Sequence, residues 1–332
     1  MRTRLFAYAL AIAVVGSPGS TARPQAGQNS IDRSPRTQAE FEALYTQVSN
    51  WGRWGKDDQL GSLNLITDAK RKQAAALVKT GIAVSMSHNP MLEKAADNLT
   101  PFESEAGTKY SVSIHSTGHS HLDALCNTPY MGKLYMGRLQ AEVRTPAGCT
   151  TMGVETIRNG VTTRGILIDI PRLKGVPYLE PGTPVFPEDI EAWEKKAGLK
   201  VSAGDAVFLR TGRWARRQKL GPWCMVGCPE KPPVSGQPGW HASVVPWFKN
   251  HDVAIVGADV ANDVVPSGIE GILLPVHALM IGAVATPLVD ALDLENLAET
   301  AARLKRWEFM LTGAPLAVPG GTGSPINLIA LF

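Results

Sequence analysis

Apolar and polar positions along the chain alternate between two rhythms. The runs "GVTTRGILIDIPRL", "DAVFLRTG" and "VAIVGADV" are nearly continuous in apolar residues and bounded by Gly or Pro, which predicts strands buried on both faces. "IAVSMSHN" and "KYSVSIHST" alternate instead, and the second predicts a strand that delivers the chain to the histidines beyond it. Helical patterns lie between these runs. "FEALYTQVSNWG" reads as a short helix. Thr67 or Asp68 caps a second one running to Val78, with Gly81 as its stop. "TPVFPEDIEAWEKKAG" opens on Pro187 and acids and closes on Gly198. "VVPWFKNH" is helical, and "LVDALDLENLAETAARLKRW" passes from a strand into a helix. Residues 91–109 read as a polar loop, and the C-terminal "WEFMLTGAPLAVPGGTGSPINLIALF" as a strand, a Gly-rich turn and an apolar tail. Strands and helices alternating in this way predict one α/β domain over residues 41–332, with no repeat and no internal linker.

The first forty residues break the pattern. Two arginines, an apolar run from Leu5 to Val15 and then small residues predict a signal peptide over 1–22, with the polar stretch 23–40 as a disordered leader. The apolar run is too short to span a bilayer. The expected protein is therefore secreted or periplasmic, with no membrane association after cleavage. At 332 residues, 44% hydrophobic and 19% charged, the remainder can bury a sizeable core. A formal charge of +3 without any basic run excludes nucleic acid as a partner. Export would permit disulfides among Cys126, Cys149, Cys224 and Cys228. Cys224 and Cys228, in the loop "WCMVGCPEKPP", are placed to pair, whereas Cys126 reads as a small core residue.

Three of the seven histidines crowd into "HSTGHSHLD": His115, His119 and His121, with Asp123 just after them. On a regular strand His119, His121 and Asp123 share a face. Imidazole and carboxylate together suit Zn²⁺, Mn²⁺ or Fe²⁺. The bland alternative is a solvated polar loop. His277 and Asp290 both sit in apolar surroundings, where burial is costly without a partner, and together they read as a second half-site. His251 reads as surface, and His88 and His241 stay open. Nucleophilic catalysis finds no Gly-x-Ser-x-Gly elbow, and "GGTGS" at 320–324 has neither the helix nor the lysine of a phosphate-binding loop.

The motifs "DDQLGSLNLIT", "HSHLDALCNTPYMGKLYMG", "RGILIDIPRLKGVPYLEPGTPVFPEDIEAW", "GDAVFLRTG", "VGADVANDVVPSG", "LLPVHALMIGAVATPLVDALDLENLA" and "GGTGSPIN" are similar, in order, to the blocks of the cyclase family of metal-dependent hydrolases. That family includes kynurenine formamidases and isatin hydrolases. The resemblance implies a swivelling α/β fold with a mixed sheet, a divalent Zn²⁺ or Mn²⁺, a homo-oligomer, and hydrolysis of an amide C–N bond in a small aromatic substrate. An arylformamidase, or a hydrolase of another cyclic amide or lactone, is the implied enzyme. It implies metal ligands at His119, His121, Asp123, His277 and Asp290, with His277 or His115 moving protons. Thr117 and Asp290 depart from the family pattern, and Asn127 stands where the family has an acid/base histidine. Asparagine does not titrate near neutral pH but donates hydrogen bonds. That departure keeps a different class open: a secreted binding protein that holds metal or ligand without turnover.

Overall fold

The structure is a computed structural model and describes residues 33–227 and 234–332. The signal peptide, and the leader up to residue 32, lie outside the described residues. Part of the remaining leader stretch is structured. Thr37 and Glu40 form a capping box at the start of helix α1, Gln38–Gln47, and Phe41 on that helix is fully buried. Arg33 pairs with Glu188 at 2.9 Å and lies over the Phe186 ring.

Nine strands form one mixed sheet: β1 Ala83–Ser85, β2 His121–Asp123, β3 Val161–Asp169, β4 Ala206–Arg210, β5 Ile255–Ala258, β6 Leu288–Asp290, β7 Glu308–Gly313, β8 Gly323–Pro325 and β9 Ile329–Leu331. Their spatial order is β1-β9-β7-β3-β4-β5-β6-β2-β8. The middle four, β3 to β6, are parallel, and the flanking pairs are antiparallel. This is the mixed α/β architecture that the alternating runs predict. The parallel strands read as continuous apolar runs because helices and loops cover both faces, and Ile166, Leu167, Val207, Phe208, Ile255, Val256, Leu288 and Val289 are all fully buried. Crossover helices have ordinary end signals. Thr67 caps α2, Asp68–Ala75, which closes before Val78 because the chain tightens into Leu77 N–H to Ala74 C=O and Val78 N–H to Ala75 C=O bonds. Pro187 opens α3, Pro187–Ala197, and a left-handed Gly198 ends it.

One expected strand is displaced. Lys109–Ser111 pairs with Glu103–Glu105 in a small exposed hairpin, and the chain from 112 to 120 enters the cluster without strand structure. Alternation there does not mark a buried face: Tyr110 is exposed. At Gly118 a Cβ would meet Asn98 Oδ1 at 2.4 Å, so the chain bends against that side chain where only glycine fits. Between β5 and β6 the chain makes a single helical turn, Pro275–His277, and continues as a π-helix over Ala278–Val284. Among the described residues no helix is long and apolar enough to cross a membrane.

Candidate metal centre

The site forms where the antiparallel strand β2 lies against the C-terminal end of parallel β6. Register places His121 directly opposite Asp290, and Asp123 opposite Leu288. With period-two alternation, His121 and Asp123 then share the face of Asp290, while Leu122 between them is buried in the core. His277 arrives from the turn before the π-helix. Its Nε2 lies 3.1 Å from Asp290 Oδ2 and 3.6 Å from Asp123 Oδ2. His121 Nε2 lies 3.6 Å from Asp123 Oδ1 and 3.7 Å from Asp290 Oδ2. His115 brings Nδ1 to 2.8 Å from Asp123 Oδ1. Two donor groups result, His115–His121–Asp123 and Asp123–His277–Asp290, and Asp123 belongs to both.

His119 is the correction. It was expected as a ligand because a regular strand was assumed from residue 119, but β2 begins at His121. His119 therefore turns away: its Nε2 bonds the Thr100 carbonyl, and only its own carbonyl reaches the site, accepting from His121 Nδ1 at 2.8 Å. His115 takes the place expected of it, as a donor rather than a free proton carrier. The other histidines lie elsewhere. His88 stacks on Trp214, His251 stacks on Trp247, and His241 caps Ser243 N–H.

Electrostatics fit a divalent cation. Asp123, Asp263 and Asp290 are all buried within one small volume. Asp123 Oδ1 has no well-aligned hydrogen bond, although His115 Nδ1 lies 2.8 Å from it. A buried carboxylate oxygen without a partner is costly, and a cation held between Asp123 and the histidines satisfies it. Burial alone would raise the Asp123 carboxyl, but His115, His121 and His277 outweigh it and hold the group below the usual carboxylate range. Burial opposes an imidazolium at His277, yet the charges of Asp290 and Asp263 raise it well above its ordinary value.

Sequence reading missed Asp263. It sits in the loop after β5, where periodicity carries no information. Its Oδ2 accepts from His277 Nδ1 at 2.5 Å and from His277 N–H at 3.3 Å, and its Oδ1 accepts from Val276 N–H at 2.5 Å. It thereby leaves His277 Nε2 as the nitrogen that faces the site. Asn262 steadies the opposite wall, with Nδ2 donating to Asp290 Oδ1 at 2.5 Å. The available signal was two acids, Asp259 and Asp263, in the mostly apolar and small-residue "VGADVANDVVPSG", and it does not say which of them serves the site.

The donors line a cavity of about 260 Å³ whose wall also includes Asn127, Thr128, Val226, Ala261 and Leu274. Trp51, Trp54, Tyr130 and Tyr135, the aromatic residues in or beside the motif segments, do not line it. Trp51 and Tyr130 border a separate cavity, and Tyr135 is buried with its hydroxyl on Asp58.

Beneath the site lies a disulfide, Cys126–Cys149, which corrects the reading of Cys126 as a plain core residue. Cys224 is disulfide-bonded too, while its expected partner Cys228 lies outside the described residues. The first bond ties the segment ending in Asn127 to the Gly-rich loop, since Cys149 N–H donates to Gly320 C=O at 2.8 Å. Replacing both Cys126 and Cys149 with Ser is expected to cost about 2–4 kcal/mol of stability, read by denaturant unfolding, and to weaken metal binding.

The cyclase family model matches residues 74–262. A search of curated proteins finds no match. Among solved structures, one described as a novel cyclase is 28% identical and aligns with a TM-score of 0.70, covering 87% of this chain and 99% of its own. Isatin hydrolase A from Ralstonia solanacearum shares the fold at 18% identity and a TM-score of 0.51, covering 75% of this chain and 91% of its own. Isatin hydrolase A from Labrenzia aggregata, bound to benzyl benzoate, does so at 18% identity and 0.52, with coverage of 77% and 94%. With the family match spanning more than half of its length, this chain belongs to the cyclase family.

Proposed function

We propose that the protein is a metal-dependent hydrolase that cleaves the C–N bond of a small amide, of the formanilide or isatin kind. The observation that carries this is the pair of donor groups sharing the buried Asp123 at the floor of a cavity. The fold shared with two proteins named as isatin hydrolases supports the choice of a cyclic or aryl amide. His121, Asp123, His277 and Asp290, with His115, would hold the divalent ion, Zn²⁺ or Mn²⁺. Bound there, it supplies a water of lowered pKa and polarises the substrate carbonyl. The chain's own residues do the rest. Val226, Ala261 and Leu274 give the substrate an apolar wall and limit water. Asn127 can hydrogen-bond to a carbonyl or developing oxyanion, but it carries no proton. The two histidines expected to move protons are both committed to donor groups, so proton transfer to the leaving nitrogen is left to solvent. The disulfides support work in an oxidising compartment, secreted or periplasmic.

This reading predicts measurable but slow turnover on a panel of isatin, N-formylkynurenine, other formanilides, lactams and lactones. Chelation should stop it and added Zn²⁺ or Mn²⁺ restore it. General acid–base help is worth about 10²–10⁴-fold, so Asn127→His is expected to raise kcat by up to about 100-fold on the preferred substrate. Stoichiometric metal with ligand binding and no turnover on any member would favour the non-catalytic binding protein instead.

A further inference from the structure

Each histidine of the site has one nitrogen facing the donors and one facing outward. For His121 the outward nitrogen is Nδ1, held by the His119 carbonyl. For His277 it is Nδ1 again, held by Asp263. In both cases the partner is an acceptor only, so the outward nitrogen carries a proton, and Nε2, which in His277 bonds Asp290 Oδ2 at 3.1 Å, is the nitrogen a metal would take. His115 is turned the other way, with Nδ1 among the donors and Nε2 pointing out, 2.7 Å from Thr322 Oγ1. Thr322 belongs to "GGTGS", the motif that matched no phosphate-binding loop.

We infer that Thr322 is a positioning residue that fixes His115 as the Nε2–H tautomer and aims its Nδ1 lone pair at the metal; the inference rests on the metal-centre reading above. Three observations carry it. Nδ1 lies 2.8 Å from Asp123 Oδ1, yet that oxygen has no well-aligned hydrogen bond. The two atoms thus sit side by side, as two donors to one ion would. The loop is also anchored where it must be: the Thr322 carbonyl accepts from Ala124 N–H at 3.0 Å, one residue beyond the shared ligand. Finally, the loop is built around the ring. At Gly323 a Cβ would meet His115 Cε1 at 2.9 Å and the Leu122 carbonyl at 2.6 Å, so glycine is required for the close approach that brings Thr322 to His115. A hydroxyl both donates and accepts. Its hydrogen can point elsewhere while the oxygen takes the Nε2 proton, so a threonine here does for His115 what a carbonyl and a carboxylate do for the other two.

The test uses the full chain, stripped of metal and titrated with Zn²⁺ and with Mn²⁺ alone, in wild type, Thr322→Val, Thr322→Ser and His121→Ala. Thr322→Val is expected to raise the Kd for metal about 10–100-fold, with Thr322→Ser close to wild type and both keeping wild-type thermal unfolding. In the Zn²⁺-loaded wild type, long-range ¹⁵N–¹H spectra should show His115 protonated at Nε2 and bare at Nδ1. Protonation at Nδ1 overturns the assignment. So does an unchanged Kd in Thr322→Val when His121→Ala has lost its metal. Loss of hydrolysis in Thr322→Val with metal affinity intact would instead make Thr322 the reacting hydroxyl, and overturns it as well. If His121→Ala also keeps its metal, the metal centre itself fails and the inference falls with it.

Discussion

Asp123→Asn is expected to lower kcat/KM for the preferred amide by at least about 10³-fold and to remove bound metal, while leaving the protein folded. Asp123 is the one residue common to both donor groups, so a single substitution disables both. Asparagine keeps the shape but offers one neutral oxygen where the carboxylate offers two charged ones. Lewis-acid help is worth several kcal/mol of transition-state stabilisation, and about 4 kcal/mol corresponds to about 10³-fold. The fold should survive at a modest cost in metal-free stability, because His115, His121 and His277 favour the ionised carboxylate that asparagine removes. The check pairs steady-state kinetics with metal analysis and thermal unfolding of the same preparation. A variant that loses activity and also unfolds tens of degrees early would place Asp123 in the scaffold instead.

Asp263→Asn should do the opposite mixture: a moderate loss of metal and a clear loss of stability. Asp263 accepts three hydrogen bonds, from Val276 N–H, His277 N–H and His277 Nδ1, and is wholly buried. Asparagine satisfies one side and turns an NH₂ toward donors on the other. Breaking such a buried charged network costs about 3–5 kcal/mol, and freeing the outward nitrogen of His277 costs metal affinity about 10–100-fold. The wild type carries a matching pH signature. In the metal-free protein His277 holds its proton well above the ordinary imidazole range, because Asp290 and Asp263 outweigh the effect of burial. A raised folded pKa stabilises the metal-free fold at low pH and loses that contribution as pH rises through it. The bound ion needs the neutral ring. Metal affinity should therefore climb with pH beyond the point where a free imidazole has finished titrating. In Asp263→Asn that climb should shift to lower pH, since one of the charges that hold the proton is gone. Calorimetric titrations in buffers of different ionisation enthalpy read the released proton directly.

What the sequence showed, and what it hid, follows from the range of the interactions involved. The parallel strands β3 to β5 were legible because burial on both faces leaves a continuous apolar run, as in "RGILIDI". The three-residue strands β2 and β8 were not, because their pairing depends on partners far along the chain. Within the site, His121 and Asp123 were legible from period two, and His277 and Asp290 from being polar in apolar surroundings. His119 was misplaced by starting the strand two residues early, an error that alternation alone cannot detect. Asp263 and Thr322 lie in loops, where a residue's role depends on which ring the fold sets beside it. The Cys126–Cys149 bond was missed for the same reason: its two cysteines stand 23 residues apart and meet only in the folded chain.

The most direct test of the central claim follows hydrolysis as metal is removed and returned. The purified protein is dialysed against chelator and titrated with Zn²⁺ or Mn²⁺, and bound metal and amide hydrolysis are measured on each aliquot. Activity should fall to background in the stripped protein, rise in proportion to metal bound through the donor groups at Asp123, and stay at background in Asp123→Asn at every metal concentration. Full activity in stripped protein, or activity in Asp123→Asn equal to wild type, would contradict it.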